Sequence, residues 1–130
     1  MHNRYEALEE HDLRWLGQGI GVQVAESTLR TKVGFMHPGD DAGRVASFAY
    51  RKFGAESAGE VLRSFKRGYD PVRIAGGSDA VSDEEFINTV GMALSIELAT
   101  EEIDEVRDYL RQRAADGPLT EKIDKEMWNV

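Results

Sequence analysis

The chain is predicted to be all-α, with about six helices packed in one domain. Three observations predict this. Apolar residues recur at helical three- and four-residue spacing through most of the sequence, as in Phe86, Val90, Ala93 and Leu94. Start signals precede these stripes, most clearly Ser82 with Glu85, where the hydroxyl satisfies a free backbone N–H and the carboxylate reaches back. Stop signals follow them, as at Gly54 and at Asp116-Gly117-Pro118, because glycine tolerates left-handed geometry and proline cannot continue a helix. With 130 residues, 41% of them hydrophobic, the chain supplies one ordinary core without disulfides or a structural metal. Residues 1–56 are expected to form helices that pack on a helical unit spanning 57–130.

In chain order, Asn3 is the expected cap of a first helix that places Tyr5, Leu8, Asp12, Trp15 and Leu16 near one face, with Gly17, Gly19 and Gly21 ending it. The next stretch reads two ways. Ile20, Val22 and Val24 alternate as a strand would, whereas Ala25, Leu29, Val33 and Met36 recur at helical spacing, which favours helix over 25–34. His37-Pro38-Gly39 is a break, after which Asp40 or Asp41 caps a helix carrying Val45, Phe48, Ala49 and Phe53, closed by Gly54. Ser57 begins a helix with Val61, Leu62 and Phe65 inward and Gly68 at its end. Residues 70–81 are expected to be a Gly-rich loop, 83–97 a helix, and Thr100 the start of another with Ile103, Val106, Leu110 and Ala114 inward. Thr120 opens a last helix with Ile123, Met127 and Trp128 along its apolar edge.

Composition excludes several functions. Cysteine is absent, which removes disulfides, thiolate zinc sites and thiol nucleophiles together and suits a reducing, cytoplasmic setting. The first residues are too acidic for a signal or transit peptide, and no run approaches the roughly 20 apolar residues of a membrane helix. Sixteen basic against 24 acidic side chains give a net charge of -8, which disfavours nucleic acid and anionic lipid unless the basic residues segregate. Arg51, Lys52, Arg63, Lys66, Arg67 and Arg73 do give the middle of the chain a basic bias, and 79–108 is strongly acidic. Two solvated helix faces would produce the same pattern.

From Val61 to Leu110 the stretches VLRSFKRGYDP, AVSDEEFINTV and ELATEEIDEVRDYL follow as helix, loop, helix, link and helix. This order, with Phe65, Tyr69, Asp70, Pro71, Val81, Glu85 and Phe86 at the key positions, resembles an EF-hand pair, over about 57–128. The resemblance implies a helix-loop-helix pair of the calmodulin type, holding an amphipathic partner helix in an apolar groove. It also implies a cation loop with Asp70 as first and Glu85 as last ligand and with Ser78 and Asp79 between them. The family loop holds 12 residues, and Asp70 to Glu85 is four residues longer. Calcium is therefore expected at most at this one distorted loop, weakly held or lost. The second loop, over 111–119, carries Arg111 and Arg113 where ligands would stand and is expected to bind no cation.

Other constellations are weaker. GVQVAESTLR is a little like the turn and recognition helix of a helix-turn-helix, with Ser27 and Thr28 as caps and Arg30 and Lys32 toward a groove, and a small DNA-binding regulator is the alternative function. His11 lies among Glu9, Glu10 and Asp12 without a second histidine at helical ligand spacing, and His37 stands near Asp40 and Asp41 as a lone loop histidine. Gly76-Gly77-Ser78 lacks the lysine of a phosphate loop. No enzyme is expected. The expected function is a protein-binding module or structural subunit of an assembly, with Phe65, Phe86, Val90, Met92, Leu94, Leu110, Met127 and Trp128 as groove residues. Phe65, Met92, Met127 and Trp128 are the foremost partner contacts. The competing expectation is that these residues are core, with Trp15 and Phe48 folded over the edge.

Overall fold

The computed structural model describes residues 5–31 and 41–120. Among them are five α-helices and no strand: α1 Glu10–Thr31, α2 Asp41–Phe53, α3 Ala55–Ala75, α4 Asp83–Leu94 and α5 Thr100–Ala115. The expected last helix, after Thr120, lies outside the described residues, as do Asn3, Lys32, His37 and Asp40.

The long α3 is the centre, with α1, α2 and α5 packed directly on it and α4 lying against α2 and α5. Its buried apolar positions Ala58, Val61, Leu62, Phe65 and Tyr69 recur at helical spacing, and the Phe65 ring stacks on Tyr69 at 5.6 Å and on Phe86 of α4 at 6.3 Å. The inward faces expected at Val61, Leu62 and Phe65 and at Phe86, Val90, Ala93 and Leu94 are therefore the core itself. Gly54 joins α2 to α3 alone. Its φ of 105° is open to glycine at little cost, and its N–H closes α2 by donating to the Tyr50 carbonyl at 2.8 Å. Ser82 caps α4 as expected, its hydroxyl accepting from the Glu85 N–H at 3.2 Å.

Four expectations are corrected. Gly17, Gly19 and Gly21 end nothing: α1 runs unbroken from Glu10 to Thr31, which makes one helix of two and leaves no strand at 20–24. The reason is close packing. A Cβ at Gly17 would lie 2.7 Å from the Val61 carbonyl oxygen, and one at Gly21 would collide with that of Phe65, so both glycines exist to bring α1 onto the α3 backbone. Gly68 answers from α3, facing the carbonyl of Gln18. Second, α1 begins only after a turn at Tyr5–Ala7, where Asp12 accepts from the Glu9 N–H at 3.0 Å. Third, α3 passes Gly68 and Pro71 and stops at Ala75, so the loop is 76–82 and not 70–81. Pro71 lies inside the helix, where it lacks the N–H that would donate to the Arg67 carbonyl, and the helix continues for only four more residues. Fourth, α4 ends at Leu94 rather than Glu97, giving way to a turn over 95–97.

Candidate functional site

On α3, Glu60, Arg63, Lys66 and Asp70 follow at three- and four-residue intervals and form one charged row along a buried face. Arg63 is fully buried and Lys66 nearly so. Charge this deep must be paired, because taking an ion out of water costs several kcal/mol unless partners replace the water. Each member has partners. The Arg63 guanidinium donates through Nη1 to both Glu60 oxygens, at 2.7 and 2.6 Å, and through Nε to the Leu119 carbonyl at 3.0 Å. The Tyr109 hydroxyl of α5 donates to Glu60 at 2.7 Å, and Arg113 approaches the same carboxylate at 3.9 Å. Burial, and then the hydrogen bond to Glu60, push the Tyr109 phenol well above the usual tyrosine range. Gly59 leaves the space that this ring occupies.

At the other end of the row the Lys66 ammonium bonds Asp70 at 2.5 Å, stands 3.5 Å from Asp83 of α4, and lies 6.0 Å over the Phe86 ring. Asp70 also accepts from the Val81 N–H at 3.3 Å, which fastens the 76–82 loop to the helix. Asp83 accepts from the Leu119 N–H at 3.2 Å. The row thus binds α3, α4, α5 and the segment after α5 into one polar network.

The expected site residues divide accordingly. Asp70 lies inside α3 and is held by Lys66; Ser78 and Asp79 are in the 76–82 loop; Glu85 stands in the first turn of α4. Among the described residues no three His, Asp or Glu side chains converge as a cation shell. Of the groove residues, Phe65, Phe86, Val90, Leu94 and Leu110 are buried in the core, Met92 is 52% exposed, and Met127 and Trp128 lie outside the described residues. Phe65 is corrected from partner contact to core because Tyr69 and Phe86 pack on it. His11 touches Asp12 at 3.2 Å on an exposed face. Of the basic residues in the middle of the chain, Arg63 and Lys66 are interior, while Lys52 donates to the Glu6 carbonyl at 2.6 Å and Arg51 to that of Glu97. The helix-turn-helix reading loses its turn, since 21–30 is uninterrupted α1.

Sequence reasoning read Arg63 and Lys66 as a basic bias and missed the row. The signal was present in their i, i+3 and i+4 spacing to Glu60 and Asp70. It also missed Ile96, 57% exposed and four residues after Met92. Ile96 lies in the turn that follows α4, which is tied back to the helix by backbone bonds from Ser95 to Gly91 and from Glu97 and Leu98 to Leu94. No helix among the described residues is long and apolar enough to cross a membrane. No family model, curated protein or solved structure matches the chain.

Proposed function

We propose that this chain is a non-catalytic binding subunit that engages a basic amphipathic helix at the end of α4. One observation carries the reading: Met92 near the end of α4 and Ile96 in the turn after it, each more than half exposed, put two large apolar side chains in water on a strongly acidic unit. From Asp83 to Asp108 there are nine acidic side chains and one basic, Arg107. That arginine is already spent within the fold, donating across Gly91 to the carbonyls of Ile87 at 3.2 Å and Asn88 at 2.9 Å. Methionine suits such a surface because its unbranched chain adapts to varied partners, and the surrounding carboxylates favour lysine and arginine flanks on the partner.

The test is a labelled helical peptide with leucines at i, i+4 spacing between lysines, titrated by fluorescence anisotropy. Binding that weakens with salt, and at least tenfold in the Met92→Glu, Ile96→Glu double variant with its melting point unchanged, is the expected result. Equal affinity for both proteins removes this surface from consideration.

The altered EF-hand-like loop serves in this reading as a structural connection. Lys66 supplies Asp70 with the positive charge that an ion would otherwise bring. Calorimetric titration is expected to show no calcium site tighter than millimolar, and Lys66→Met is expected to destabilise the fold. A micromolar site would restore the metal-binding reading.

A further inference from the structure

Leu119 lies beyond the end of α5, in a turn that belongs to no helix, and yet it is only 1% exposed. Both of its backbone groups are held by side chains of other elements. Its N–H donates to Asp83 at the start of α4, and its carbonyl accepts from the interior Arg63 of α3. Its side chain joins the main core. The residues leading to it run over the surface: Asp116 and Pro118 are exposed, the Asp116 and Gly117 amides bond only back to the end of α5, and Gly117 has a φ of 149°, a conformation that glycine adopts readily. A single leucine with its two backbone hydrogen bonds is therefore received by groups already fixed by other contacts. Glu60 holds Arg63, and Lys66 stands beside Asp83.

We propose that the cleft between α3 and the start of α4 is an acceptor site for a leucine-bearing peptide segment, filled here in cis by Gly117–Thr120 and open to the same segment presented in trans. Recognition is divided between an apolar socket for the side chain and two charged groups that read one residue's N–H and C=O, so that main-chain bonds supply affinity and the pocket supplies specificity. The cis segment competes at high effective concentration, so an incoming segment enters only as Leu119 leaves.

The full-length Leu119→Ala chain, checked for its helical circular dichroism, is titrated with a labelled peptide of residues 116–124. Its affinity is expected to be at least tenfold higher than that of the wild-type chain. The gain should vanish when the peptide leucine is alanine or when Asp83→Ala is added. Absence of binding to a folded Leu119→Ala chain, or equal binding to both chains, overturns the proposal. Hydrogen exchange on the wild-type protein gives an independent reading: the Leu119 amide is expected to exchange by a local opening insensitive to denaturant. If it exchanges only with global unfolding, or if Leu119→Ala unfolds the chain, the segment cannot leave the folded domain and no acceptor site exists.

Discussion

The Glu60 carboxylate receives Arg63, Tyr109 and the approach of Arg113, and the phenol is the partner whose proton this environment holds. Its pKa is raised above the ordinary 10.0, first by burial and then by Glu60. The folded state therefore holds the phenolic proton more tightly than the unfolded chain does. That contribution to stability is fully present below pH 10 and is lost as pH rises toward the folded-state value. Tyr109→Phe removes a hydrogen bond to a charged group, worth about 1.5–3 kcal/mol, together with this pH dependence. In denaturant titrations the gap between wild type and Tyr109→Phe is expected to be constant from pH 7 to 9 and to narrow above about pH 10. A gap that stays constant to pH 11 would mean that Tyr109 is not shielded as its contacts indicate.

Among the elements, α2 and the start of α4 were legible because their signals are local: an Asp start with a Gly stop in one, a serine cap in the other. The glycines of α1 were not, because a residue without Cβ serves equally to end a helix and to admit a neighbouring backbone. Which use applies depends on α3, distant in sequence. The exposed and buried roles of the charged row were hidden for the same reason, since Arg63 and Lys66 become interior only when α4, α5 and Leu119 close over them. Two neighbouring glycines separate the effects. Gly19 has open space around it, so Gly19→Ala gains helix propensity alone and is expected to stabilise by about 0.5–1 kcal/mol. Gly21→Ala gains the same propensity but drives a methyl group into the Phe65 carbonyl, and overpacking of this kind costs about 1–3 kcal/mol. Opposite shifts in melting temperature are expected, and stabilisation by both substitutions would show that α1 does not cross α3 at Gly21.

Across the whole molecule the core is continuous: Leu13 of α1, Val45 of α2, Phe65 of α3, Phe86 of α4 and Val106 of α5 belong to one buried cluster. Phe86 is the junction, since its ring covers Phe65 on the helix against which α1 and α2 pack. Removing it should therefore weaken distant helices together and not release α4 and α5 alone. Phe86→Ala is expected to cost about 3–5 kcal/mol, in the range for large aromatic truncations in cores. Its helical circular dichroism and tryptophan fluorescence should still be lost in a single coincident transition, as for a small cooperative domain. Met92→Gln, on an exposed position of α4, and Ile96→Gln, in the turn that follows it, should each change stability by less than about 0.5 kcal/mol. The contrast depends on these two side chains being surface and the ring being core. Should Phe86→Ala instead give two transitions, with fluorescence from the Trp15 side of the molecule persisting after part of the helix signal has gone, then the N-terminal helices hold together without α4, and the charged row, not the aromatic stack, is what joins the two halves.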